Sequence, residues 1–295
     1  DVKLIKGGFP ARYGGRLSSV IDVRMKEGNL YETHGEASVG IVAAKLSIEG
    51  PIKKEKSSFL FSARRTYIDA LTRPLINASA KQSGESATGG YYFYDLNGKI
   101  NYIISNKDRL FLSGYFGNDR AFAKYSSSFG DQTENMKTKL EWGIAIVAAR
   151  WNHVFSPKLF SNTTLTYSKY KFLTAFDIES GSEGMMEEIG LRYDSGIDDY
   201  SIKTDFEFIP NPDLNLKFGL SFVNHKFTPG VSRIEAEGVG ESISLSFGSN
   251  EIRANELNAY TEADWKLGDR FKVNLGVHSS NFFVESESYF SIQPR

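Results

Sequence analysis

Four histidines, His34, His153, His225 and His278, are the only imidazoles in the chain. They stand far apart in sequence, without the His-Glu-x-x-His or paired-ligand spacing that gathers two nitrogens around one metal. Each is expected on the polar face of its element rather than on a metal. With no cysteine, thiolate metal sites, disulfides and cysteine nucleophiles are excluded. Gly7-Gly8 and Gly14-Gly15 are followed by no helical pattern whose N-terminus would hold a phosphate. No nucleophile-elbow or phosphate-loop pattern occurs elsewhere. The acidic run Asp177, Glu179, Glu183, Glu187, Glu188, Asp194, Asp198 and Asp199 lacks the regular oxygen-ligand spacing of a calcium loop, and is read as a solvated loop. A net charge of −1 gives no basic field for nucleic acid. No catalytic residue, resident metal or cofactor is expected, and the chain is read as a non-enzyme.

The elements that carry these residues are strands. Phe and Tyr are abundant, 22 and 15 residues, and they cluster in short runs that favour β structure. Period-two alternation recurs. Leu214, Leu216, Phe218, Leu220 and Phe222 share one side, with Asn215, Lys217, Gly219 and Ser221 on the other. The same pattern runs from Tyr200, from Leu257 and from Arg270. There the polar sides read Ser201, Lys203, Asp205, Glu207; then Glu256, Asn258, Tyr260, Glu262, Asp264; then Arg270, Lys272, Asn274, Gly276, His278. Weaker versions lie near 42–49, 57–65, 96–104, 110–116, 142–155 and 159–172. The total is about ten strands, most near the ~9–11 residues that cross a bilayer at a tilt.

Connections alternate. Short turns fall at 50–54, 105–108, 156–158, 210–213 and 268–269, and long polar segments at 66–90, 119–137, 174–196 and 227–254. In a meander, every second connection lies on one rim. Short turns on one rim and long loops on the other describe an outer-membrane barrel and not a Greek-key sandwich. No run approaches the ~18 apolar residues of a membrane helix, so a chain that crosses a bilayer must do so as a closed barrel. Tyr91, Tyr92, Phe93, Tyr94, Trp151, Phe155, Trp265, Phe282 and Phe283 are read as interfacial girdle residues. The long loops are the expected sites of ligand contact.

Residues 1–28 break the pattern. Two short strand-like stretches flank a glycine-dense connection carrying Lys6, Gly7, Gly8, Pro10, Arg12, Tyr13, Gly14 and Gly15, followed by Ser19-Val20-Ile21-Asp22-Val23. In order and spacing this resembles the end of the plug domain of TonB-dependent outer-membrane transporters, where a strand runs into a glycine pair, a proline and a Tyr-Gly pair before the first barrel strand. The sequence departs from many members at Lys6-Gly7-Gly8 and Ser18-Ser19-Val20. Phe61-Ser62-Ala63-Arg64-Arg65-Thr66-Tyr67 is similar to the second barrel strand of that family.

The resemblance implies an all-β chain: the end of a plug domain over 1–30, then over 31–295 the N-terminal half of an antiparallel up-and-down transmembrane β-barrel, about ten strands of 22. It further implies a place in the bacterial outer membrane against lipid and energised import of a scarce small-molecule, glycan or peptide ligand. Coupling to the TonB complex would run through a segment outside this sequence, and a surface lipoprotein partner is left open. Both ends read as cut from a longer chain. A passive porin-like or structural barrel, and a soluble extracellular β-rich binding module, remain as alternatives. Within the front segment, Arg12, Arg16 and Arg24 are expected to act as a plug–barrel latch by pairing with carboxylates such as Glu36 or Glu49, because a buried charge pair is held when complete and costly when broken.

Overall fold

A computed structural model describes residues 2–15, 18–182, 185–238, 241–248, 251–268 and 270–295. The front segment forms a two-stranded antiparallel ribbon, β1 (Val2–Lys6) and β2 (Ser19–Val23), joined through a 3-10 turn at Ala11–Tyr13. Gly7 and Gly8 turn the chain out of β1 at φ +65° and +48°, a conformation that is costly for any residue with a Cβ.

All other strands join one antiparallel sheet: β3 (His34–Val39), β4 (Ala43–Lys53), β5 (Ser57–Thr66), β6 (Ser86–Ile103), β7 (Asp108–Phe129), β8 (Gln132–Ser156), β9 (Leu159–Ser182), β10 (Met185–Asn211), β11 (Leu214–Gly238), β12 (Glu241–Gly248), β13 (Ile252–Leu267), β14 (Phe271–Val284) and β15 (Glu287–Pro294). Neighbours in sequence are neighbours in space throughout, except that β12 folds back on the upper part of β11 while β13 pairs with its lower part. This is an up-and-down meander. The path holds twelve strands, with β12 as an added hairpin arm. The sequence reading missed β3, whose six residues include Gly35, Ala37 and Ser38 and carry little apolar alternation. As a result, Phe61–Thr66 lies on the third strand of the sheet rather than the second.

The short turns stand on one rim, as the alternation requires. The four long segments are not loops. Residues 119–137 and 174–196 are continuations of β7–β8 and β9–β10, paired to their tips. Residues 227–254 contain β12, and residues 66–90 contain a helix, α1 (Ile68–Gln82). The reason is backbone satisfaction. Strands of 22 to 27 residues in β7 to β11 project well past any bilayer at ~3.3 Å per residue. Toward their tips these strands carry polar residues on both faces, so apolar alternation fades while ladder hydrogen bonding continues. Among the described residues no helix is long and apolar enough to cross a membrane.

A hydrophobic core is nearly absent. Among the described residues only Phe9, Ala11, Phe111, Leu173 and Ala254 are buried hydrophobics. The accessible surface is 18972 Å², against roughly 12,500 Å² for a compact protein of this mass. The apolar rows lie on the outer face of a single curved layer, with Phe218 at 40%, Leu220 at 61%, Leu257 at 48% and Leu275 at 59% exposure. A two-sheet soluble core would bury those rows.

Aromatic residues on the outer face gather near both ends of the apolar zone. Trp151, Phe155, Phe206 and Phe218 lie toward the short-turn rim, with Phe206 stacked on Phe218. Tyr94 with Phe116, and Tyr167 with Tyr200, lie farther up. His153 belongs to the lower group. Its Nδ1 meets Asp108 at 2.7 Å and its ring packs on Phe155, so it sits on the outer face and not on the polar face expected of it. The run Tyr91–Tyr94 splits by alternation: Tyr92 and Tyr94 stack on one side, while Tyr91 turns inward to Asp119 and Trp142.

Candidate functional site: the inner-face cradle of residues 9–15

The inner face of β13, β14 and β15 is built by one parity of residues: Glu256, Asn258, Tyr260, Glu262 and Asp264 on β13, opposite Asn274, Gly276, His278 and Ser280 on β14. The segment 9–15 docks on this wall, some 250 residues away in sequence. Glu262 is the centre. Its side chain is fully enclosed, yet a carboxylate survives such burial only if its oxygens are paired. It accepts the Arg12 backbone N–H at 3.3 Å, the Arg12 guanidinium, and the Asn274 side-chain amide at 3.3 Å. The carboxylate thus meets a backbone donor of the 3-10 turn and a full positive charge together.

His278 completes the clamp. Its Nδ1 lies 3.0 Å from the Ala11 carbonyl. Because a carbonyl can only accept, Nδ1 carries the proton. Gly14 lies flat against this ring: a Cβ there would fall 2.0 Å from the His278 Cγ. Gly276 is needed for the same reason on the wall side, since its Cβ would fall 2.6 Å from that of Ala11. Gly15 N–H donates to Gln293 Oε1 at 3.1 Å, and the Arg295 guanidinium covers the buried Phe9 ring at 4.6 Å. Tyr13 hydroxyl donates to Asp22 on β2 at 3.2 Å, tying the turn to its own ribbon.

Of the residues singled out from sequence, Arg12, Gly14 and Gly15 therefore meet one wall, while Pro10 and Tyr13 shape the turn that presents them. Lys6, Gly7 and Gly8 form the exit from β1. The expected ion-pair partners change. Arg12 pairs with Glu262 and not with Glu36 or Glu49. Arg24 pairs with Asp22 at 3.4 Å, and Glu36 with Lys45 at 3.9 Å. Glu36 and Glu49 instead line a separate inner cavity beside Met25 and Lys26. Arg16 lies outside the described residues. The partners Glu262, His278 and Gly276 all stood on polar faces read from the alternation. Only the long-range docking that selects them was hidden.

The remaining inner face is a network of charge pairs with no metal-binding group among the described residues. His225 is held between Asp199 at 2.7 Å and Glu256 at 3.4 Å. The acidic run lies on a paired hairpin rather than a loop: Glu179 receives Lys137, Asp194 receives Arg192 and Arg233, and Asp198 receives Lys169 on the outer face beside Tyr167. Glu183 lies outside the described residues.

No protein-family model and no curated protein sequence matches the chain. Among solved structures, FpvA of P. aeruginosa, crystallised with an iron–pyoverdine complex, aligns over 99% of this chain and 43% of its own length, with TM-score 0.62 and 12% identity. The ferric yersiniabactin uptake receptor FyuA from Yersinia pestis aligns over 81% of this chain and 45% of its own, at TM-score 0.38 and 8% identity, and carries no weight at that score. The chain thus spans less than half the length of either receptor. These neighbours are receptors rather than enzymes. Twelve meander strands, an exposed apolar outer face and a glycine-rich segment seated on the inner face agree with that alignment: the chain has the fold of the TonB-dependent outer-membrane receptors.

Proposed function

We propose that the protein is an outer-membrane receptor that imports a scarce ligand by energised movement of a plug, with residues 1–30 as the end of that plug and 31–295 as barrel. The observation that carries this reading is the docking of residues 9–15 through one enclosed ion pair and two glycine contacts. A passive pore gains nothing from filling its inner face with a separate ribbon. A receptor whose filling must be held, then released by pulling, needs a seat with few and strong fastenings. In this reading the TonB complex supplies the pull through a segment of the longer protein. An iron–siderophore complex, the class bound by FpvA, is the first ligand class to try. The long paired hairpins and α1 form the outward recognition surface.

Membrane residence is tested on the full-length protein by fractionation and by faster migration of the unboiled protein on a gel. Leu220→Arg is expected to cost about 2–4 kcal/mol if Leu220 faces the bilayer midplane, and so to lower the yield of the fast-migrating form, while Ser221→Arg on the inner face is tolerated. Equal losses from both substitutions would reject the membrane assignment. Growth under iron limitation with single purified siderophores then tests import, and growth that is independent of an intact TonB system rejects energised transport.

A further inference from the structure

A second inner region is built differently. Lys99 on β6, Arg109 on β7 and Arg150 on β8 converge on one carboxylate, Glu27, at 3.9 Å each. That distance is outside direct hydrogen bonding, so Glu27 offsets one of the three positive charges without being gripped by any of the cations. Lys99 is the most enclosed, its side chain 10% exposed, and it donates a 3.4 Å hydrogen bond to the Met25 carbonyl. The buried Phe111 ring lies beneath two of the cations, with the Arg150 guanidinium at 4.2 Å and the Lys99 ammonium at 5.4 Å. The ring therefore fixes their positions whatever anion is present. Arg150 Nε is enclosed with no acceptor. The region opens onto a cavity of about 1380 Å³ between residues 22–27 and the wall of β6 to β8, at the short-turn end of the sheet. Of the other carboxylates at this cavity, Asp22 is committed to Arg24 and Tyr13, Asp108 to His153, and Glu55 is exposed on its turn. Three cations against one loosely held carboxylate leave an excess of positive charge facing open space.

We infer that this cavity is an anion site for a carboxylate- or phosphate-bearing ligand, with Glu27 as its internal stand-in. Glu27 belongs to the segment that follows β2, so any movement of that segment that withdraws Glu27 uncovers all three cations at once. An incoming anion takes the place of the carboxylate and accepts from Lys99 and Arg150. The inference rests on this geometry alone and stands or falls apart from energised transport.

The test uses full-length protein in detergent, with inorganic phosphate and citrate as probes in separate titrations. Glu27→Gln removes the stand-in, and at least one probe is expected to bind about tenfold more tightly than to the parent, a change of about 1.4 kcal/mol. Adding Lys99→Gln and Arg150→Gln to that variant is expected to abolish the gain. The tighter of the two probes identifies the preferred anion chemistry. Unchanged affinity for both probes in Glu27→Gln, or a gain that survives loss of both cations, overturns the inference. Should a variant fail to give the fast-migrating folded form, the parent alone decides. Either probe must slow acylation of Lys99 by a small amine-reactive activated ester, scored by mass spectrometry, and labelling unaffected by both overturns the inference.

Discussion

Residues 9–15 and residues 22–27 belong to one ribbon and meet one sheet, yet they are held in opposite ways. The first stretch is seated by an enclosed carboxylate that accepts from both backbone and guanidinium, by an imidazole on a carbonyl, and by two glycines that let surfaces touch. The second faces three cations across gaps of 3.9 Å and borders a large cavity. Enclosure makes the difference. A charge pair withdrawn from water is costly to break, because the partner left behind is stranded. A pair beside water is screened and contributes little. The ribbon is thus fastened firmly at the β13–β15 wall and loosely at the β6–β8 wall.

The sharpest way to break this comparison is Glu262→Ala, which strands Arg12 against the inner wall. It is expected to weaken the seat by about 3 kcal/mol, read as amide exchange at Arg12, Tyr13 and Gly14 roughly a hundredfold faster in the full-length protein. Glu262→Gln keeps the acceptor and should recover part of the loss. Unchanged exchange in Glu262→Ala would mean that the two ends are held alike. Gly276→Ala comes next. Its new Cβ must displace Ala11 or strain the Thr261 carbonyl, which lies 2.9 Å away, at about 1–3 kcal/mol. The same amides should exchange faster while those of residues 24–27 keep their parent rates. Uniform acceleration along the ribbon would point to global loosening instead. Glu27→Gln is expected to have the smallest effect on stability, below about 1 kcal/mol, leaving exchange at residues 9–15 as in the parent. A large loss of protection there would show that the loose end carries the seat.

Much of this architecture was legible from residue order. Alternation from Tyr200, Leu214, Leu257 and Arg270 assigned each side chain to a face, and those faces stand as read. The turns at 105–108 and 210–213 were marked by residues whose side chains close them: Ser105 caps Asp108 and Lys107, and Asn211 accepts from the Asp213 amide. Strand extent past the apolar zone was not legible. Residues 119–137 and 174–196 carry polar groups on both sides, and their pairing is imposed by the ladder below them rather than by their own pattern. The short β3 was missed because small residues fit the sheet without advertising it.

The Arg12 pairing shows where reading in sequence stops. Arg12, Gly14 and the glycine-rich turn stood out, and so did the polar row containing Glu262 and His278. Sequence could place charge on a face but could not choose among the carboxylates of the inner face. The sequence reading offered Glu36 and Glu49 as examples of inner carboxylates. The curvature of the sheet instead carries β13 and β14 around to face residue 12, so the enclosed partner comes from far along the chain. Local chemistry, face and turn were therefore determined by the order of residues, since period-two geometry and turn conformation are short-range. Which anchors are enclosed, and which remain loose beside open space, was decided only by the closing curve of the sheet.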